Sequence, residues 1–211
     1  LEYIPMFIVT MAMCILYVLL EKKGDIYVTV LSVIGGAAAA FFDFLTAETL
    51  SILIPLLLVV IIRYSDDRLE EIGLPLVIKS GGCWGAAYLM TFIVKWAAAS
   101  AVTGENKFVS AIHSAEVRID GETDMSLPMQ IISAPMANIS TLFGGDVRVD
   151  GGRIALGLIL TVLISGSICL LLGSKKPPKA EITIAVLGLV PYLRYIVLSN
   201  HSYLHEYFTY R

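Results

Sequence analysis

The sequence predicts an all-α, polytopic integral membrane protein with about six transmembrane helices and one long extracytoplasmic loop. Three observations carry that expectation. Hydrophobic residues make up 57% of the 211-residue chain and charged residues only 16%, where soluble domains carry about 25% charged residues. The apolar residues gather into six runs close to the roughly 20 residues a helix needs to cross a bilayer. Lys and Arg cluster in alternate connections between those runs, the pattern produced when positive charge stays cytoplasmic.

Taken in order, the first run covers residues 4 to 20 and the second 26 to 44. The second ends in "AAAAFFDFLTAETL", whose small residues let neighbouring helices approach closely. The third, 49 to 63, is short, and "IGLPLVIKSGG" after it either lies along the interface or extends into the bilayer. The fourth covers 82 to 102, the fifth 154 to 173 and the sixth 181 to 199. Between the fourth and fifth lies the long loop, 103 to 153, where "NKFVSAIHSAEVRI" and "SLPMQIISAPMANISTLFGG" are expected as surface helices resting on the membrane. The chain thus divides into residues 1–102 (four spans), 103–153 (the loop) and 154–211 (two spans and an outer aromatic and histidine segment).

Orientation follows from the basic residues. Lys22 and Lys23 follow the first run, Arg63, Arg68 and Lys79 the third, and Lys175, Lys176 and Lys179 the fifth. Those connections are expected in the cytoplasm. The N-terminal end, "DFLTAE", the long loop and the closing "NHSYLHEYFTYR" then share the outer side. The net charge of −3 and the lack of a basic run exclude a nucleic-acid binder. Cys14, Cys83 and Cys169 sit in or beside apolar runs and read as small core residues. The chain opens Leu1-Glu2-Tyr3 without an initiator Met or a signal-peptide pattern, which reads as a fragment.

Two cations interrupt spans. Lys95 precedes the outer end of the fourth by about seven residues, roughly 10 Å, and Arg194 that of the sixth by about five, roughly 8 Å. A basic residue inside lipid is costly and usually faces a bundle interior, a cavity or the interface. Each is therefore either a phosphate-binding group or a side chain snorkelling to headgroups. Asp43 closes the second span, as a helix-end carboxylate or as a base. Glu48 opens the third span, where the helix dipole favours negative charge. Asn200 and His201 follow Arg194 by six and seven residues, near two helical turns, so a continuing helix carries them toward the water surface. His205 shares a helical face with His201. That pair lacks a third ligand, so no metal is expected, and no nucleotide-binding glycine loop or cofactor motif is present. The resulting candidates are Asp43 and His201 as catalytic groups, Lys95 and Arg194 on phosphate, and His205, Asn200 and Glu48 behind them.

The segments "FFDFLT", "GAAYLMTFIVKWAAASAVTGEN" and "PYLRYIVLSNHSYLHEYFTYR" together resemble the C-terminal half of an uncharacterised, mostly Gram-positive bacterial family of polytopic membrane proteins. That resemblance implies the bacterial cytoplasmic membrane and a further apolar segment after "FTYR", while the basic residues put both ends of this chain on the extracytoplasmic side. The general plan is similar to the GT-C glycosyltransferases, which use polyprenyl-phosphate sugars. It implies a cell-envelope enzyme acting on a lipid-linked substrate at the outer leaflet. The acidic motif of GT-C enzymes belongs to their first outer loop, so Asp43 is not equated with it. Two other functions fit the same residues: a transporter or flippase of an envelope precursor, and a non-catalytic membrane subunit.

Overall fold

The computed structural model describes residues 4–42, 48–119, 125–141 and 178–204, with a few helical positions between 155 and 166. Every regular element among the described residues is a helix. They are α1 (Ile4–Leu20), α2 (Asp25–Phe42), α3 (Leu50–Ser65), α4 (Leu74–Thr103), α5 (Lys107–Ile119), α6 (Leu127–Thr141), α7 (Pro178–Val197) and α8 (Ser199–Leu204). Among the described residues, three helical stretches are long and apolar enough to cross a membrane: Ile4–Lys23, Asp25–Phe42 and Leu74–Thr103. α3 is a shorter apolar helix. The fifth expected span lies largely outside the described residues, and the sixth coincides closely with α7. The chain forms two compact units, Leu1–Ala98 with Leu171–Gly188, and Ala99–Leu170 with Leu189–Arg211.

In the first unit, α1 buries Met6, Thr10, Met13 and Tyr17. That is one face of a helix with 3.6 residues per turn, and it packs on α2 and α3. α3 answers with Ile52, Leu56, Val59, Val60 and Arg63. Tyr17 gains a polar tie, its Oη lying 2.7 Å from Ser32 Oγ. The 30-residue α4 begins at Leu74 rather than near 82. "IGLPLVIKSGG" is thus mostly helical, and Lys79 stands on α4 instead of in a connection. At 1.5 Å per residue α4 spans about 45 Å, more than the roughly 30 Å hydrocarbon layer.

At one end of this unit, charges hold the connections in place. Arg63 is fully buried. Its Nε donates to Glu21 Oε1 at 2.9 Å, Nη2 to Asp25 Oδ1 at 2.7 Å and Nη1 to the Glu71 carbonyl at 2.6 Å. Arg68 adds donation to Glu21 Oε2 at 3.1 Å and to Glu71 Oε1 at 2.9 Å. The end of α1, the start of α2 and the turn after α3 are thereby joined.

Farther along, small residues set the α2–α4 distance. Ala39 and Ala40 are fully buried. A Cβ placed on Gly36 would lie 2.2 Å from the Trp84 carbonyl oxygen, a backbone atom that cannot swing aside. Gly36→Ala should therefore push the helices apart and lower stability by about 1–3 kcal/mol, as overpacking does. Gly82→Ala is the control, because a Cβ there meets nothing within 4 Å, and alanine is the better helix former by about 1 kcal/mol. Thermal unfolding in detergent should rank Gly36→Ala below wild type and Gly82→Ala at or above it; the opposite order would refute the close packing.

Candidate functional site

Lys95 lies on α4, eight residues before Thr103, or about 12 Å along the helix from its end. Its Nζ donates to the Ala40 carbonyl at 2.9 Å and, more weakly, to the Phe41 carbonyl at 3.4 Å. Those carbonyls belong to the last turn of α2, whose acceptors lack intrahelical partners and carry the negative end of the helix dipole. The ammonium also stands 5.2 Å from the Phe92 ring centroid and 6.0 Å from that of Phe41, within cation–π range. Lys95 thus caps one helix from another. The sequence expects a carboxylate partner for it, with Asp43 foremost. Asp43 lies outside the described residues, as does His205.

Behind Lys95 runs an aromatic row on α4. Trp84 stacks on Tyr88 with ring centroids 5.0 Å apart, Tyr88 meets Phe92 edge-on at 5.1 Å, and Phe92 meets Trp96 at 5.7 Å. Four-residue spacing puts these rings on one helical face. Trp84 Nε1 donates to Ser51 Oγ at 3.0 Å, and Ser51 Oγ donates to the Glu48 carbonyl at 2.8 Å. Glu48 is buried just ahead of α3, where the N-terminal dipole favours its charge.

The second unit holds the remaining candidates. Arg194 is on α7, and its side chain is outside the described set. Asn200 and His201 are consecutive on α8, Asn200 buried and His201 half-buried. Asn200 Nδ2 donates to the Val117 carbonyl at 2.8 Å, which closes the C-terminal turn of α5. Asn200 is therefore a helix-capping group here. Lys95 belongs to one unit and Arg194, Asn200 and His201 to the other.

The charge cluster around Arg63 was not foreseen. Beside it, Lys22, Lys23, Gly24, Asp66, Arg68 and Glu71 line an open recess. Lys22 pairs with Asp66 at 2.8 Å. Its hydrogen bond holds the Asp66 carboxyl below the usual range, and the Arg68 fork does the same for Glu71. Comparison with protein-family models, with curated proteins and with solved structures finds no match.

The depressed carboxylates make this end acid-sensitive. A carboxyl whose folded pKa is below its unfolded value contributes stability above the unfolded pKa, and loses that contribution as pH falls through the folded one. Unfolded Asp and Glu titrate near about 3.9 and 4.3. Amide exchange over residues 66–73, corrected for intrinsic rates, should be steady above about pH 5 and rise as the medium is acidified below the carboxylate range. The double variant Asp66→Asn, Glu71→Gln should flatten that rise. A wild-type profile with no rise down to about pH 3 would contradict the pairing.

Proposed function

We propose that this chain is part of a bacterial cell-envelope membrane enzyme, glycosyltransferase-like, that acts on a polyprenyl-phosphate-linked substrate at the outer leaflet. The observation that carries the reading is the state of Lys95. Its ammonium is held about 12 Å along a membrane-length helix from the helix end. It is braced by two carbonyls and has three protons to donate. A polyprenyl phosphate keeps its phosphate near the interface and its tail in lipid, so a fixed cation at that depth suits it. Arg194, in the second unit, is the other candidate phosphate ligand, its guanidinium able to bind bidentately.

In the reaction, an acceptor hydroxyl attacks the sugar carbon attached to phosphate. The new C–O bond forms as the bond to the phosphate oxygen breaks, and Asp43 or His201 takes the hydroxyl proton. Lys95 and Arg194 meet the charge left on the departing phosphate. The remaining topology belongs to the same proposal: six spans, both chain ends outside, and Lys22 and Lys176 in the cytoplasm.

Topology is tested with single cysteines in a background lacking Cys14, Cys83 and Cys169. An impermeant reagent applied outside whole cells should label a cysteine at Asp120 and miss one at Lys176; the reverse would remove the shared outer side on which the site depends.

Function is tested by complementation with the full-length protein. Arg194→Ala and His201→Ala should abolish activity with membrane insertion unchanged. Lys95→Met should reduce it by about tenfold to a hundredfold, the value of one charged hydrogen bond to phosphate. Full activity in both Arg194→Ala and His201→Ala would end the proposal.

A further inference from the structure

The second unit is built inside out. α6 turns Gln130, Ala134, Ala137 and Asn138 inward, with Gln130 0% and Asn138 2% exposed. α8 packs against it with Ser199, Asn200 and Ser202 buried. One bond joins the two helices, Asn138 Nδ2 donating to the Ser202 carbonyl at 2.9 Å; Asn138 Nδ2 also donates to the Ala134 carbonyl at 2.8 Å and Gln130 Nε2 to the Met125 carbonyl at 3.0 Å. On the outside of α6 stand Met129, Ile132 and Met136, with 54%, 54% and 40% of their surface open. Their spacing of three and four residues makes them one stripe. Among the described residues of this unit, the fully buried apolar side chains are alanines only, while the larger ones are half-buried, as Phe108, Ile131 and Leu198 are, or exposed.

Water penalises that arrangement twice, since it favours burial of the large apolar side chains and solvation of the amides. Hydrocarbon reverses both preferences. Polar side chains are driven to pair with one another, small residues fill the helix–helix contact, and large apolar ones face the lipid. The sequence agrees. Residues 125–145, "MSLPMQIISAPMANISTLFGG", contain no Asp, Glu, Lys or Arg. Pro135 lies inside α6, a position more readily tolerated in membrane helices than in soluble ones. The neighbouring α5 differs, carrying Lys107, His113, Glu116 and Arg118, with His113 and Glu116 well exposed.

We propose that α6 lies within the hydrocarbon layer, with its Met129, Ile132 and Met136 stripe against lipid acyl chains and its polar face on α8. α6 has 15 residues and is about 22 Å long, short of the roughly 30 Å needed to cross. The charged residues of α5 place that helix at the water interface. This extends the fold and is independent of the lipid-phosphate reading: α6 lies in hydrocarbon whether or not Lys95 binds phosphate.

The test uses the full chain without its native cysteines, with one cysteine at Met129, Ile132, Met136 or, as the aqueous reference, His113. Each variant is spin-labelled and reconstituted in phosphatidylcholine vesicles, and collision rates with oxygen and with a water-soluble nickel chelate are measured. Oxygen should dominate several-fold at Ile132 and Met136, and the chelate at His113. Chelate access at Ile132 equal to that at His113 would overturn the proposal by putting the stripe in water. Access by neither reagent would overturn it too, by showing the stripe covered with protein. Three positions on an exposed stripe keep the test open if one variant folds poorly.

Discussion

A guanidinium with no exposed surface has to be met on every side. Leaving an ion unpaired in a low-dielectric interior costs several kcal/mol, so the elements around Arg63 have little choice of position. Its acceptors come from three places: Glu21 after α1, Asp25 at the start of α2, and the Glu71 carbonyl after α3. Fixing those points fixes the relative heights of three helices. The stripes Met13–Tyr17, Val28–Leu31 and Leu56–Val60 then meet as one apolar core. A buried ion pair adds little net stability over apolar packing, whereas removing one partner typically costs about 3–5 kcal/mol. Its role here is register: other alignments of α1, α2 and α3 would strand a charge.

Among the described residues, the two units bury different kinds of side chain. The first unit buries Met, Val, Leu and Ile in the ordinary way. The second buries amides, hydroxyls and alanines. In lipid, hydrophobic side chains gain little by leaving hydrocarbon, so helices are held by close packing and hydrogen bonds. The Asn138–Ser202 and Asn200–Val117 bonds are of that kind. Each ends on a backbone carbonyl. The side-chain amides therefore serve the same requirement that makes helices the rule in membranes, that every backbone polar group be satisfied internally.

Much of the helical layout was legible from hydropathy, because runs of apolar residues dictate α1, α2, α3 and α7 to within a few residues. The start of α4 was not. By sequence, "IGLPLVIKSGG" suits interface and bilayer alike; Pro75 occupies the first turn, where its missing N–H costs nothing, and glycine is common in membrane helices. The Arg63 network was illegible for a different reason. Its side-chain acceptors lie 42 and 38 residues away in sequence, and no local spacing reports such a pair. Asn200 was expected beside a site and proves to cap α5; a capping amide from a distant segment leaves no signature in the helix that it caps. For Lys95 the expected depth agrees with its place on α4. Its described acceptors are carbonyls at a helix end, which counting carboxylates overlooks although they are acceptors in every sequence, while Asp43 lies outside the described residues.

That last difference bears on what the cation can do. Carbonyl oxygens satisfy ammonium protons and steer the side chain, but they are neutral, and the half-charge of a helix terminus compensates a cation only in part. Among the described residues, Arg63, Arg68 and Lys22 all have carboxylate partners, while Lys95 has carbonyls and aromatic faces. A unit charge at about 4 Å from an anion gains about 4 kcal/mol at an effective dielectric of about 20, and about a quarter of that in bulk water. Among the described residues, neutral acceptors thus orient the charge. An anion arriving at Lys95 finds a fixed donor whose positioning cost is already met by the fold, whereas one arriving at Arg68 must first compete with Glu21 and Glu71. Among the described residues, carboxylates hold Arg63, Arg68 and Lys22, whereas carbonyls and ring faces hold Lys95.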